Sequence, residues 1–197
     1  GASLQTSLLE VVAGGQVRTK EIVTYSGNLS MHGTLSHSVQ RIVNDFGNTA
    51  YPAKLTGTRD ALANEGALTV RLDLNGDGDT SDNLETFSMS GVGSLFVSRN
   101  SYGEVSQGST KNTYSQIRTG VFRITRSESA NRTYPVTGEE AYQFSGQELQ
   151  YNASNLQIAS AQDANLNVAV DLNHEGDTND LLEEFQGRAQ SVSFTVR

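Results

Sequence analysis

The chain has 197 residues, a formal net charge of −8 and no cysteine, so disulfides and thiolate metal sites are excluded. The excess of acidic residues argues against binding to nucleic acid or to an anionic membrane surface. One domain spanning residues 1–197 is expected at this length with 36% hydrophobic residues. Low aromatic content and 19 glycines are typical of a β-rich extracellular or periplasmic protein.

The secondary structure of residues 16–46 is ambiguous, because their apolar residues fit both a strand period and a helix period. From Ser36 onward only the helix period fits, with apolar residues at Val39, Ile42, Val43 and Phe46. The sequence therefore predicts an amphipathic helix over about residues 20–46, although glycines at positions 27 and 33 weaken it.

The remaining elements are predicted to be strands. Leu68, Val70 and Leu72 alternate with polar residues, and the same alternation recurs near residues 166–172. Further short strands are expected up to residues 191–196, which places a sheet over about residues 67–197. Residues 100–115 are rich in Ser, Gly, Asn and Thr, so an exposed loop is expected there.

Two loops between predicted strands carry the most specific pattern in the chain. Residues 73–87 read DLNGDGDTSDNLETF, with Asp or Asn at positions 1, 3 and 5 and glycine at position 6. Oxygen ligands at these positions can converge on one calcium ion, and the glycine permits the sharp turn. Residues 171–185 repeat the pattern as DLNHEGDTNDLLEEF, with 10 of 15 positions identical. Hard oxygen ligands favour calcium over a transition metal.

Both loops carry leucine at position 12, where an EF-hand has a bidentate acid. The acids at positions 7, 10 and 13 become the candidate completing ligands. The first loop is favoured over the second, since Glu175 demands more room at position 5 than Asp77 does. The full candidate set is Asp73, Asn75, Asp77, Asp79, Asp82 and Glu85 in the first loop and Asp171, Asn173, Glu175, Asp177, Asp180 and Glu183 in the second. The alternative is an acidic, solvated hairpin that binds no metal.

The order of these features resembles a minor pilin of type IV pili or a minor pseudopilin of type II secretion, of the PilW-like or J-type class. The matching segments are Ser38 to Phe46 followed by Tyr51 and Pro52, the stretch Leu68 to Asp79, Glu85 to Gly91 with Ser94 to Ser98, and Ala189 to Arg197. The resemblance implies an α+β fold, in which an N-terminal helix packs on a mainly antiparallel sheet. It also implies partner pilin subunits that bind through the helix, and a membrane contact only through a missing upstream segment.

Two functions are consistent with these observations. The first is a non-enzymatic pilus or pseudopilus subunit, held at the periplasmic face of the inner membrane before assembly and displayed on the pilus or cell surface afterwards. The second is a calcium-stabilised, all-β sandwich module of a secreted bacterial adhesin or other extracellular protein. No catalytic residues are predicted, because the sequence contains no nucleophile elbow, nucleotide loop or zinc-protease pattern.

Overall fold

The computed structural model describes residues 1–12, 14–47, 54–80, 82, 85–136, 138–173, 175, 178 and 183–196. These residues form fourteen strands and one turn of 3₁₀ helix at Ala63–Glu65. The strands are β1 (Ala2–Val12), β2 (Gln16–Leu29), β3 (Leu35–Phe46), β4 (Leu55–Asp60), β5 (Leu68–Arg71), β6 (Thr86–Met89), β7 (Ser94–Arg99), β8 (Val105–Arg118), β9 (Val121–Tyr134), β10 (Glu140–Tyr151), β11 (Ile158–Asp163), β12 (Asn165–Ala169), β13 (Glu184–Arg188) and β14 (Ser191–Val196). None of the described segments is a helix with the length and apolar character needed to cross a membrane.

Within the described residues, ten strands form one antiparallel sheet in the order β1-β2-β3-β7-β8-β9-β10-β11, with β4 also paired to β3 and β14 also paired to β10. The other four strands form two hairpins, β5–β6 and β12–β13. Hairpin β5–β6 packs on the sheet over β3 and β7. The buried core between them consists of Val39, Leu68, Val70, Leu72, Val92, Leu95 and Val97.

The predicted α+β fold is wrong, because residues 20–46 form most of β2 and all of β3. Val39 and Val43 are four residues apart, and this spacing places two side chains on one face of a strand as well as of a helix. Arg41 lies on the same face between them, where its guanidinium bonds the Glu21 carboxylate of β2 at 2.8 Å. Because Arg41 is charged, it interrupts the alternation of apolar residues that would have indicated a strand. The class of the alternative, all-β, agrees with the structure, although the sheet carries two small hairpins rather than a second large sheet.

The predicted exposed loop over residues 100–115 is also wrong for most of its length. A short turn at residues 100–104 leads into β8, which lies between β7 and β9 in the sheet. Its polar residues bond across the strands, as in the pairs Ser106 with Thr133 at 3.1 Å and Thr110 with Ser129 at 3.3 Å. Backbone pairing on both sides holds this strand, so it needs few apolar side chains.

The strand pairings divide the chain into two copies of one arrangement. In the first repeat (residues 2–99), one edge of β3 pairs with β2 and the other edge is shared by β4 and β7. In the second repeat (residues 105–196), one edge of β10 pairs with β9 and the other is shared by β11 and β14. The chain is therefore a tandem structural duplication, in which β1–β7 correspond to β8–β14.

Irregularities in the sheet recur at matching places and fix the alignment of the two repeats. A register shift at Leu8 in the β1–β2 pair recurs at Thr113 in the β8–β9 pair. A second shift at Asp45 in the β3–β4 pair recurs at Gln150 in the β10–β11 pair. Bulges that recur in the same place are features of the fold rather than defects.

Candidate metal centres

The first candidate loop is closed at its base by β5 and β6. Leu72 follows β5, is fully buried, and donates its backbone N–H to the carbonyl of Glu85 at 3.0 Å. Residues of β5 alternate between core and solvent, as the sequence predicted. The pairing anchors the acidic loop to the hydrophobic core that lies beneath the hairpin.

The turn at the start of this loop is built around the Asp73 carboxylate. One of its oxygens accepts the backbone N–H of Gly76 at 2.5 Å, and the other accepts that of Gly78 at 3.0 Å. Gly76 and Gly78 have backbone φ angles of 82° and 93°, which residues with a Cβ adopt only with strain. These glycines let the loop backbone fold around the aspartate, and the sequence pattern predicted this role for Gly78.

The next polar side chains lie close together in the same loop. The Asn75 side-chain amide donates to the Asp77 and Asp82 carboxylates at 2.9 Å each. Asp79 donates its backbone N–H to Asp77 at 3.0 Å. Repulsion from Glu85, with smaller contributions from the other loop acids, raises the pKa of Asp82. The loop thus concentrates negative charge on one small volume.

Glu85 is the residue on which the loop converges. It is only 1% exposed, and its Oε1 accepts the backbone N–H groups of Leu74 at 2.7 Å and Asn75 at 3.2 Å. Its Oε2 is buried and has no hydrogen-bonding partner among the described residues. A buried carboxylate oxygen without a partner is costly, and a bound cation is one of the few groups that can satisfy it.

The second candidate loop repeats the same base. Val170 donates its backbone N–H to the carbonyl of Glu183 at 2.9 Å, and Leu172 donates to the Glu183 side chain at 2.6 Å. Glu183 is 2% exposed. In the turn, the side-chain oxygen of Asn173 accepts the backbone N–H of Glu175 at 3.1 Å. Asp171 follows Val170 at the start of the loop, and the candidate ligands Asp177 and Asp180 lie outside the described residues.

The structure brings together only part of the predicted ligand sets. Within the described ranges, no group of three or more Asp, Glu, His or Cys side chains already forms a metal cage. Both loops share a buried glutamate at position 13 whose side chain accepts a hydrogen bond from the loop backbone, from Leu74 and Asn75 in the first loop and from Leu172 in the second. The position was a candidate from its repetition alone, but its burial and its bonds to the backbone were not predicted. One feature of the sequence indicated this position, since an acid directly before a strand, Glu85 or Glu183, recurs in both copies.

The donor set fits calcium better than other metals. All the side chains in question carry oxygen ligands, which calcium accepts in numbers of six to eight and in flexible geometry. Completing such a site requires the loop carboxylates to turn inward toward the fixed Glu85 side chain.

The chain matches no protein-family model, and comparisons with curated proteins and with solved structures also gave no match.

Proposed function

We propose that this protein is a calcium-stabilised, non-enzymatic structural module of a secreted or surface-exposed protein. The single observation that carries the proposal is the Glu85 carboxylate, which is 1% exposed and has one buried oxygen without a hydrogen bond among the described residues. The bonds to the loop backbone use one oxygen of this carboxylate, and a bound cation would satisfy the other. Glu183, at the same position of the second loop, is also buried and also accepts a backbone N–H from its loop, which supports the proposal.

Calcium would act by joining each loop to the core beneath it. Glu85 is fixed by backbone N–H groups at one end of the loop, and Asp73 is fixed at the other. A cation that both carboxylates bind would neutralise their repulsion and hold the hairpin over β3 and β7. Modules with this kind of site bind calcium with dissociation constants of about 10⁻⁴–10⁻³ M in extracellular proteins, so an extracellular location suits the proposal.

The pilus-subunit interpretation has less support. It expected partner subunits to bind a helix over residues 20–46, and these residues form β2 and β3. Assembly into a pilus stays an untested prediction, but the element through which it was expected to act is not formed. The secreted-module interpretation needs only the two loops and a β-sheet scaffold, so it is the one we propose.

The proposal is tested by differential scanning calorimetry in calcium and in chelator at equal ionic strength. A ligand that binds only the native state stabilises it by RT ln(1 + [L]/Kd), which is about 2.7 kcal/mol per site when free calcium exceeds Kd 100-fold. We expect calcium to raise the unfolding midpoint and magnesium to raise it less, because magnesium demands a tighter octahedral site. Identical midpoints in calcium and chelator would rule the function out.

A further inference from the structure

The two repeats are joined by a seam in which β7 of the first repeat pairs with β8 of the second. In this seam Leu95 lies opposite Ser109, and Phe96 lies opposite Gly108. A Cβ on Gly108 would lie 2.2 Å from the Phe96 ring, so any larger residue there would force the ring to move. The seam is a close, registered interface between one repeat and the next.

Both strands of the seam have counterparts at the outer edges of the sheet. The counterpart of β7 is β14, and the counterpart of β8 is β1. Among the described residues, β14 pairs only with β10 and β1 pairs only with β2. Applying the seam register to these edges places Val192 of one molecule opposite Leu4 of another, and Ser193 opposite Ser3.

Side chains that the seam covers inside the molecule are uncovered at the outer edges. Ser109 is 7% exposed, whereas its counterpart Leu4 is 62% exposed. Asp60 is 8% exposed, and its carboxylate accepts the backbone N–H of Asn112 in β8 at 2.5 Å. Its counterpart Asp163 is exposed. Leu4 and Asp163 are thus exposed at the outer edges, whereas their counterparts Ser109 and Asp60 are buried at the inner seam.

A groove beside β1 shows the same difference. It has a volume of about 620 Å³ and is lined by Leu4, Tyr25 and His37, among others. The corresponding groove of the second repeat is covered by Met89 and Leu95 of the first repeat, which leaves about 220 Å³. The groove beside β1 is therefore open at the place where, in the second repeat, side chains of the preceding repeat cover the corresponding groove.

The two outer edges also carry few of the features that keep sheet edges apart, and the bulge at Leu8 lies away from Ser3 and Leu4. Strand β1 contains one charged residue, Glu10, and strand β14 contains none. Neither strand contains proline or lysine, which proteins commonly place on exposed edges to prevent pairing with another chain. Unprotected edges with matching register favour association.

We propose that β14 of one molecule pairs with β1 of a second copy, in the antiparallel register of the inner β7–β8 seam. Such contacts are heterologous, so each new molecule presents another free edge and the assembly grows head to tail. This pairing follows from the strand register, the exposed residues and the composition of the two edges, and it does not require calcium binding by the loops.

Two proline variants test the proposal, because each removes a seam hydrogen bond while leaving the bonds within the molecule intact. Gly146 donates its backbone N–H to Gln190, which directs the even-numbered residues of β14 to β10 and turns the N–H of Ser193 outward. By the match with β8, the N–H of Ser3 also faces outward. Proline is tolerated at such edge positions. Melting curves check that Ser3→Pro and Ser193→Pro remain folded.

Sedimentation velocity over a concentration series up to millimolar gives the readout. The unaltered protein is expected to form species larger than dimers, and each proline variant alone is expected to stay monomeric. Mixing Ser3→Pro with Ser193→Pro should give a 1:1 dimer that grows no further, since one variant supplies β14 and the other supplies β1. A monomeric unaltered protein overturns the proposal. Dimers of either variant alone also overturn it, because they require pairing of like edges.

A charge pair of variants covers the case in which proline unfolds the chain. Leu4→Lys places a charge in the proposed seam and is expected to weaken association by about tenfold or more. Val11→Lys makes the same kind of change on the same strand, at a residue whose counterpart Gln116 stays exposed, and it should leave association unchanged. Equal effects of both variants would contradict the register and the proposal with it.

Discussion

Replacing Glu85 by glutamine is expected to change stability in opposite directions with and without calcium. Glutamine keeps the shape and the oxygen that accepts the N–H groups of Leu74 and Asn75. It removes the negative charge of a side chain that is 1% exposed. An unpaired buried ion costs several kcal/mol and an unpaired neutral amide about 1–3 kcal/mol, so Glu85→Gln should equal or exceed the parent stability in chelator.

In calcium the order of the two proteins should reverse. The parent chain gains two sites, each worth about 2.7 kcal/mol at 100-fold excess over Kd. For a chain of this size that is about 5–11 °C in the unfolding midpoint per site. The Glu85→Gln variant keeps only the second site, so its calcium-induced shift should be about half that of the parent. Glu183→Gln should behave alike.

Thermal unfolding followed by circular dichroism, in calcium and in chelator, measures both effects. Glu65→Gln is the matched control, because this acid lies outside both loops and pairs with Arg59 at 2.6 Å. Its calcium-induced shift should remain full. Equal losses of stability by Glu85→Gln in both solutions would show that Glu85 serves only as a hydrogen-bond acceptor for the loop backbone and binds no calcium.

Three further predictions concern the fold. A double-mutant cycle between Glu21 and Arg41 should give a coupling energy of about 0.5–3 kcal/mol, measured by urea unfolding; no coupling would indicate the helix, in which the two would be about 30 Å apart. Gly108→Ala should cost about 1–3 kcal/mol in the same assay, because its Cβ would overlap a neighbouring ring; a silent substitution would contradict the packing of the seam. Hydrogen bonds from Arg59 lower the pKa of Glu65 to about 2. That contribution is present above the ordinary pKa and lost as pH falls toward 2, so Arg59→Met should destabilise the protein at neutral pH and much less near pH 2, by melting curves.

The sequence was most informative where side chains alternate over a one-sided core. Leu68, Val70 and Leu166 lie in strands and are buried, as their spacing predicted. Both calcium-type loops connect paired strands, again as predicted. In these segments the hydrophobic pattern and the turn residues indicate the same structure, so local information was sufficient.

The sequence was misleading where local pattern and tertiary environment differ. Val39 and Val43 satisfy both periods, and the charged Arg41 between them is accommodated by tertiary partners, the Glu21 carboxylate and the Glu65 carbonyl. Strand β8 is held by backbone pairing with β7 and β9, and such pairing does not require the apolar alternation by which a strand is recognised in a sequence. The duplication was visible only in the loops, because counterparts such as Leu4 and Ser109 differ in chemistry.

We expect each loop to bind one calcium ion through its buried glutamate. Isothermal titration of the calcium-free protein with calcium tests it most directly, with Glu85→Gln titrated in parallel. The parent is expected to bind two ions per chain and the variant one. A parent chain that binds no calcium, or a variant that still binds two ions, would contradict this expectation.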